Sequence, residues 1–224
     1  MQNQICIVST KKLSERQKQQ LLSANFLVFE EDFIAIQNKD FEIYSTNDYL
    51  IFTSQNAVES VLRNKKLVEI QSKKCFCVGE KTKALLKENG FEVIEFSAYA
   101  EELASIICSQ YSKNSFTFFC GNIRRDFLPD ALRLVNITLD EVEVYETIFT
   151  SHKIDFIPNG ILFFSPSGVQ SYLQENKIEN ENCFCIGNTT AETLKYITTN
   201  RTIANQPTTE SVVMKCIKFY SNRL

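Results

Sequence analysis

The sequence predicts an α/β protein of two similar lobes, each built on a parallel sheet, with the active site in the cleft between them. Three observations lead to this prediction. Short apolar segments alternate with amphipathic segments, two motifs of the first half recur in the second half, and 224 residues suit two domains of ordinary size. The two lobes are therefore expected to be duplicated halves.

Along the chain, the apolar period changes repeatedly between that of a strand and that of a helix. Residues 4–9 have a strand pattern, residues 13–26 have the spacing of an amphipathic helix, and residues 27–29 begin the next strand. The alternation continues with strands at 49–53, 75–78 and 91–96 and helices at 56–63 and 81–88. Asn89 and Gly90 are a typical helix C-terminus. Parallel sheets covered by helices on both faces have this pattern.

The second half of the chain repeats motifs of the first half. The aligned segments are residues 52–58 with 163–169 and residues 75–82 with 183–190. Phe163 lies 111 positions after Phe52, and Cys183 lies 108 positions after Cys75. Such a long period indicates two copies of a domain rather than a solenoid of short repeats.

The composition is that of a globular protein and argues against several classes of function. Hydrophobic residues make up 44% and charged residues 23% of the chain, which favours neither disorder nor a membrane protein. The N-terminus lacks a signal-peptide pattern, so we expect a cytoplasmic protein. The net charge is −3 and the basic residues are scattered, which argues against nucleic acid as a partner.

Eight cysteines and a single histidine, His152, limit the possible metal and catalytic chemistry. We expect reduced thiols, and interpret the two Cys-x-Cys pairs as core residues because positions two apart on a strand share a face. A zinc site formed by the four thiolates is the alternative. One histidine supports neither a Ser/His/Asp triad nor a histidine metal cluster. Common nucleotide, zinc and hydrolase motifs are missing, so no metal or cofactor is expected.

Hydroxyl residues at predicted strand ends are candidate ligand-binding residues. In parallel α/β sheets, ligands bind beyond the carboxyl ends of the strands, where helix N-termini present free N–H groups to anions. Plain N-capping is the alternative interpretation of such residues. Recurrence at equivalent points in both halves favours a shared ligand surface formed by Ser54, Thr82, Ser165 and Thr190.

Another strand end adds candidates from the middle of the chain. Residues 116–122 read as a strand that runs into a turn, and Gly121 would let a ligand approach the backbone closely. Arg124, with Arg125, either binds a ligand or belongs to a solvated helix face. Tyr145 closes a strand near the presumed junction of the lobes, and its hydroxyl could donate a proton at neutral pH. A structural tyrosine is the alternative.

Together these motifs resemble the uroporphyrinogen-III synthase family, whose members close a linear tetrapyrrole in haem biosynthesis. Each motif is short, but their order and spacing are specific, and the resemblance covers residues 50–224. The first 48 residues match only in pattern. The segments that carry the resemblance are residues 51–54, 78–82, 120–122, 144–147, 163–168, 186–191 and 207–210.

The resemblance implies how the duplicated halves are connected. Because residues 1–36 resemble residues 115–150 in pattern, periodicity alone leaves open whether the lobes are sequential or one is inserted into the other. The family implies two flavodoxin-like lobes joined by a two-strand connector, the second lobe being inserted into the first. Its implied parts are domain 1 at 1–36 with 150–224, domain 2 at 39–146, and connector strands near 36–39 and 146–150.

The resemblance also implies the reaction and the roles of individual residues. Hydroxymethylbilane would lose water, its terminal (D) pyrrole ring would be inverted through a spiro intermediate, and the ring would close as uroporphyrinogen III without a cofactor. Tyr145 would assist departure of the hydroxyl as the catalytic residue. The implied substrate-binding residues are Thr53, Ser54, Thr82, Gly121, Asn122, Arg124, Ser165, Ser167, Gly168, Thr189 and Thr190.

The expected partners are the linear tetrapyrrole and, transiently, hydroxymethylbilane synthase, and a monomer is expected. Two other classes stay open at this point. The first is a two-lobed protein that binds an anionic small molecule for regulation and performs no chemistry, because fold alone does not exclude it. The second is a metal-binding redox protein that uses the Cys-x-Cys pairs.

Overall fold

The computed structural model describes residues 4–43 and 47–221. The chain divides into two compact units, called unit 1 (Met1–Ala35 with Ile148–Leu224) and unit 2 (Ile36–Thr147). The strands are β1 (Ile5–Ser9), β2 (Phe26–Glu30), β3 (Ile34–Asn38), β4 (Tyr49–Phe52), β5 (Lys74–Val78), β6 (Val93–Ser97), β7 (Phe116–Gly121), β8 (Leu139–Phe149), β9 (Gly160–Phe163), β10 (Asn182–Cys185) and β11 (Arg201–Ile203). The helices are α1 (Glu15–Ser23), α2 (Gln55–Val61), α3 (Leu67–Gln71), α4 (Glu80–Glu88), α5 (Ala100–Gln110), α6 (Phe127–Leu134), α7 (Pro166–Glu175), α8 (Asn188–Thr193) and α9 (Thr209–Ser221).

Unit 1 contains a parallel sheet in the order β11-β10-β9-β1-β2. From β1 the chain moves to one side, through α1 to β2, whereas β9, β10 and β11 continue on the other side. The strand order therefore reverses between β1 and β9, where Ser9 is the register partner of Leu162. This is the flavodoxin-like order, and ligands in such sheets bind at the carboxyl ends of the two strands that flank the reversal.

Unit 2 repeats this order in a permuted form. Strands β8-β7-β4-β5-β6 are parallel neighbours, and the reversal lies between β7 and β4. Because the chain enters this unit at β4, the counterpart of β9, the two central strands appear in opposite chain order in the two units. The predicted flavodoxin-like duplication is confirmed.

Two strands carry the chain between the units. β3 flanks β8 in the sheet of unit 2, and the Lys39 backbone N–H donates to the Val144 carbonyl. β8 is eleven residues long and continues into the start of the second segment of unit 1. Past its end, the Thr150 N–H donates to the Phe33 carbonyl. The two-strand connector that the resemblance implied is present.

The sheets are buried because their central strands are apolar on both faces. In unit 2, Cys75 and Cys77 lie in the core on one face of β5, and Phe76 lies in the core on the other face. In unit 1, Cys183 and Cys185 are likewise buried on one face of β10. The interpretation of the Cys-x-Cys pairs as core residues is confirmed.

Local capping shifts some element boundaries from those predicted. α1 begins later than its apolar pattern because Ser14 and Gln17 form a capping box that places Leu13 outside the helix. It ends before Asn25, whose φ of 62° is left-handed. The short α3 was not predicted, since five residues are too few to show a helical period. Among residues 4–43 and 47–221, no helix is both long and apolar enough to cross a bilayer.

Candidate functional site

In unit 2, a tyrosine side chain spans the point where the strand order reverses. Tyr145 on β8 is the register partner of Gly121, the last residue of the neighbouring strand β7. Its hydroxyl lies 3.2 Å from the Oγ of Ser54, which follows β4 on the far side of β7. The ring is buried, with 7% of the residue exposed. The structure thus brings together three residues that the sequence analysis selected separately.

Gly121 is the residue that makes this crossing possible. A methyl group at this position would lie 2.5 Å from Cε2 and Cζ of Tyr145 and 2.9 Å from its hydroxyl oxygen. Real carbon–carbon contacts are about 3.5–4.0 Å, so only glycine leaves room for the ring. The glycine therefore has a packing role, while a contact between its backbone and a ligand stays a prediction.

Ser54 is held in place by the helix that it caps. Its backbone is extended, and its Oγ accepts the Ala57 backbone N–H at 3.1 Å. α2 in turn buries Ala57 and Val58 completely against the core. Thr53, half-buried, separates this cap from the end of β4. Capping and packing therefore fix the hydroxyl that Tyr145 meets.

Asn122 fastens the chain next to Tyr145. Its backbone N–H donates to the Tyr145 carbonyl at 3.3 Å. Its side-chain Oδ1 accepts the Thr147 N–H at 2.8 Å, and its Nδ2 donates to the Thr147 carbonyl at 3.3 Å. The amide thereby extends the ladder between β7 and β8 beyond the last paired backbone residue. This arrangement explains asparagine at this position without a ligand.

Arg124 follows the same turn but is already paired. Its guanidinium donates to carboxylate oxygens of Asp126 and Glu141, and Glu141 also accepts from Arg133. The interpretation as a solvated helix face does not describe it well, because only 26% of its side chain is exposed. A substrate carboxylate at Arg124 would have to compete with two protein carboxylates.

Thr82 lies in the first turn of α4, beside a glycine in the left-handed region. Gly79 has φ of 90° and caps α4 without a side-chain hydrogen bond. Thr82 is only 4% exposed, and its hydroxyl forms no hydrogen bond with any described residue. Lys83 follows, with its Nζ 4.3 Å from the ring centroid of Phe96. A hydroxyl without a described partner therefore lies at a helix N-terminus that has no side-chain cap, and Lys83, which follows it, is 3.8 Å from a carboxylate oxygen of Glu80.

Unit 1 has a second hydroxyl cluster at its own strand reversal. Ser165 caps α7 by accepting the Gly168 N–H at 3.0 Å, and its Oγ lies 3.0 Å from that of Ser167. Thr10, just beyond β1, donates to the Leu162 carbonyl at 2.8 Å. A methyl group on Gly168 would lie 3.3 Å from Ser165 Oγ and 3.5 Å from Thr10 Oγ1. The four residues surround one strand end.

Thr189 and Thr190 begin α8 in unit 1. Thr189 is exposed, whereas Thr190 is 2% exposed and, like Thr82, forms no hydrogen bond through its hydroxyl within the described chain. Gly187 caps α8 without a side-chain bond. Both units thus carry the same local feature, which is a buried threonine whose hydroxyl forms no hydrogen bond with a described residue, after a glycine that caps the helix without a side-chain bond.

Sequence reasoning missed Thr10, Lys11 and Lys83. The Lys11 Nζ lies 5.7 Å from the ring centroid of Phe164, immediately before Ser165. Thr10 and Lys11 directly follow a strand, which is the signal that selected the other candidates. Thr10 and Lys11 were missed because residues 1–48 carry no motif of the repeat.

The chemistry available at these strand ends is that of neutral hydroxyls, backbone N–H groups and a few lysines. Among the residues that the structure describes, no three or more His, Cys, Asp or Glu side chains are grouped to hold a metal ion. Burial raises the pKa of Cys77 to about 11 and that of Cys185 to about 12, so these thiols are inert at neutral pH. The hydroxyls are therefore the candidate proton donors.

Comparison with known solved structures agrees with this fold. Two solved structures share the fold across nearly the whole chain. Uroporphyrinogen-III synthetase from Helicobacter pylori 26695 has a TM-score of 0.72 at 21% identity, with 96% of this chain and 99% of that one covered. A mutant uroporphyrinogen III synthase from the extremely thermophilic bacterium Thermus thermophilus has a TM-score of 0.70 at 11% identity, with 98% and 100% covered.

Sequence relatives point the same way over shorter segments. The porphyrin biosynthesis protein HemD of Ruminiclostridium josui is 26% identical over 190 residues, which are 76% of this chain and 38% of the relative. The uroporphyrinogen-III synthase of Saccharomyces cerevisiae is 29% identical over 134 residues, 52% of this chain and 49% of the relative. The matches thus span less than half of either curated relative.

The match to a family profile covers most of the chain. The profile described as uroporphyrinogen-III synthase HemD matches residues 15–214. This range contains Ser54, Gly121 and Tyr145 in unit 2 and the Ser165 cluster in unit 1. The chain therefore belongs to the uroporphyrinogen-III synthase family.

Proposed function

We propose that the protein is a uroporphyrinogen-III synthase, a cyclising hydro-lyase that converts hydroxymethylbilane to uroporphyrinogen III with inversion of the D ring. The observation that carries this proposal is the Tyr145–Ser54 hydroxyl pair at the strand reversal of unit 2, in a chain that matches the family over residues 15–214. The pair supplies a proton donor at the place where flavodoxin-like sheets bind ligands.

The substrate is a flexible polycarboxylate, and the described strand ends suit such a molecule. The N-terminus of α4 lacks a side-chain cap, so its first N–H groups can receive a carboxylate. Thr82 adds a hydroxyl, and Lys11 in unit 1 and Lys83, which also pairs with Glu80, add two cations. Binding of this kind does not require a basic protein surface, which explains how a chain of net charge −3 would hold a polyanion.

Tyr145 is proposed to protonate the departing hydroxyl group. As the C–O bond breaks, the proton and the hydroxyl leave together as water. The cationic methylene carbon left behind is attacked by the substituted carbon of ring D to give the spiro intermediate, which reopens and closes in the inverted sense. The new macrocycle releases one proton as its last pyrrole regains aromaticity, and this proton restores Tyr145.

Much of the remaining catalysis would be conformational. Holding the chain so that the substituted carbon of ring D meets the reactive methylene is a proximity effect. That the polar strand ends of both units face one cleft, which closes on one substrate molecule, stays a prediction. A cytoplasmic location, a monomeric state and a transient contact with hydroxymethylbilane synthase are also predictions.

The test couples the protein to hydroxymethylbilane synthase. Porphobilinogen and that enzyme supply the substrate, the product is oxidised, and chromatography measures the ratio of type III to type I uroporphyrin. We expect type III to predominate with the wild-type protein. Type I alone would favour the non-catalytic binding protein instead.

The role of Tyr145 is tested separately with Tyr145→Phe, which keeps the ring. In this variant we expect a loss of about 100-fold or more in kcat. Full activity in this variant would remove Tyr145 as the acid.

A further inference from the structure

We propose that Ser54 is a positioning residue that directs the hydroxyl proton of Tyr145 to the substrate and then donates its own hydrogen bond to the phenolate oxygen. The inference rests on the proposed function and assigns Ser54 a role different from substrate binding. It follows from a count of the donors and acceptors at the pair.

A serine hydroxyl carries one proton and two lone pairs, and a tyrosine hydroxyl carries one proton and accepting lone pairs. The Ala57 N–H occupies one lone pair of Ser54 Oγ at 3.1 Å. The only other described hydrogen-bond partner of this oxygen is the Tyr145 hydroxyl at 3.2 Å, and either oxygen can be the donor. Two protons therefore share one hydrogen bond, and the described residues leave one of them without an acceptor.

The substrate hydroxyl can supply the acceptor for the second proton. If it accepts the Tyr145 proton, the Tyr145 oxygen has to be the acceptor in its bond with Ser54, so Ser54 becomes the donor. The Ala57 N–H polarises Ser54 Oγ and makes it a better donor, because hydrogen bonds in a chain reinforce one another. All three bonds then run in one direction, from Ala57 through Ser54 and Tyr145 to the substrate.

Each proton and electron pair in this step has a place. The Tyr145 O–H bond breaks, its proton joins the departing hydroxyl as water, and its electron pair stays on the phenolate oxygen. Ser54 keeps its own proton and donates a hydrogen bond to that negative oxygen. A hydrogen bond to a charged oxygen is stronger than one to a neutral oxygen, so Ser54 stabilises the transition state more than the ground state.

The surrounding packing fixes the geometry that this role needs. Ser54 cannot turn away without giving up the cap of α2. The Tyr145 ring lies over Gly121 and packs in the same core as Phe52 and Phe119. Both oxygens are therefore placed by the fold before the substrate arrives, which is the condition for effective electrostatic stabilisation.

The experiment compares kcat and KM of purified full-length variants in the coupled assay. Ser54→Gly removes the hydroxyl at little cost to the helix, because glycine is nearly as good an N-cap as serine. We expect kcat to fall about 10- to 100-fold, with KM changed less than about twofold. Ser54→Thr, which restores a capping hydroxyl, is expected to recover most of the loss. In a Tyr145→Phe background, Ser54→Gly should cause no further loss.

The matched control is Ser14→Ala, which removes a capping hydroxyl in unit 1 and should leave kcat unchanged. A readout that needs no substrate is the ¹³Cζ resonance of Tyr145, assigned as the signal that Tyr145→Phe lacks. It should shift in Ser54→Gly and not in Ser14→Ala.

Several outcomes would overturn the role of Ser54. One is a ¹³Cζ signal of Tyr145 that does not change in Ser54→Gly. Another is a loss of kcat from Ser54→Gly that is as large in the Tyr145→Phe background as in the wild-type protein. The third is a rise in KM with kcat intact. A wild-type protein that yields only the type I isomer would instead overturn the proposed function itself, and the positioning role of Ser54 with it.

Discussion

Replacement of Gly121 by alanine tests the geometry on which the site depends. The φ of Gly121 lies outside the left-handed region, so alanine meets no backbone strain and its effect is steric. The new methyl would lie 2.5 Å from two ring carbons of Tyr145. To restore a contact of about 3.5 Å, the ring has to move by about 1 Å. A movement of this size away from β7 lengthens and weakens the hydrogen bond between the Tyr145 hydroxyl and Ser54, which is already long at 3.2 Å.

Two measurable losses follow from this displacement. Overpacking of a buried site costs about 1–3 kcal/mol, so the thermal midpoint of Gly121→Ala should fall by about 2–10 °C in a calorimetric or circular dichroism scan. In the coupled isomer assay, kcat should fall about 10- to 100-fold, because the Tyr145 hydroxyl is displaced from Ser54. The matched control for stability is Gly187→Ala, where a methyl group would meet nothing within 4 Å.

A double-variant cycle separates this explanation from a general effect of alanine. In a Tyr145→Ala background the methyl group no longer meets a ring, so Gly121→Ala should cost close to nothing. The difference between the two backgrounds should be about 1–3 kcal/mol. Wild-type stability and activity in Gly121→Ala, or an equal cost in both backgrounds, would refute the crossing of Tyr145 over β7.

Three further predictions concern hydrogen bonds and thiols. Asn122→Ala should lower the free energy of unfolding by about 1–2 kcal/mol in urea titrations, because the Thr147 N–H and carbonyl lose their partner. Thr82→Val should leave the urea midpoint unchanged or higher while KM rises, because its hydroxyl has no described partner to lose; a lower midpoint with normal KM would contradict this. Burial raises the pKa of the Cys75 thiol from 9.0 to about 12. The contribution of the neutral, buried thiol to stability is therefore complete below pH 9 and is lost between about pH 9 and 12. Urea midpoints should therefore fall over this range, and less steeply in Cys75→Ala than in the wild-type protein.

The repeated segments explain why so much of the fold could be predicted. Ser54 and Ser165 each stand between an apolar strand and an amphipathic helix, and both are N-caps as their positions indicated. A parallel α/β sheet is specified by this local order of strand, turn and helix. The strand ends, and with them most of the candidate residues, could therefore be found without coordinates.

Contacts that cross strands could not be found in this way. Tyr145 meets Ser54 only because β7 lies between β8 and β4, and this order depends on the topology of the whole unit. The interpretation of Gly121 as a place where a ligand approaches the backbone therefore did not include the neighbouring ring, which occupies the space above this residue. Arg124 shows the same limit, since Glu141 is distant in sequence and close only across the β7–β8 pair.

The insertion of unit 2 into unit 1 has a consequence for synthesis on the ribosome. β1 lies at the centre of the unit 1 sheet, yet its neighbour β9 leaves the ribosome about 150 residues later. Unit 2 is continuous in sequence and can fold as soon as residue 147 has emerged. Until β9 has emerged, β1 and β2 have only each other as strand partners. Nascent chains should therefore need a chaperone at this edge until the last third of translation, whereas an isolated unit 2 should not.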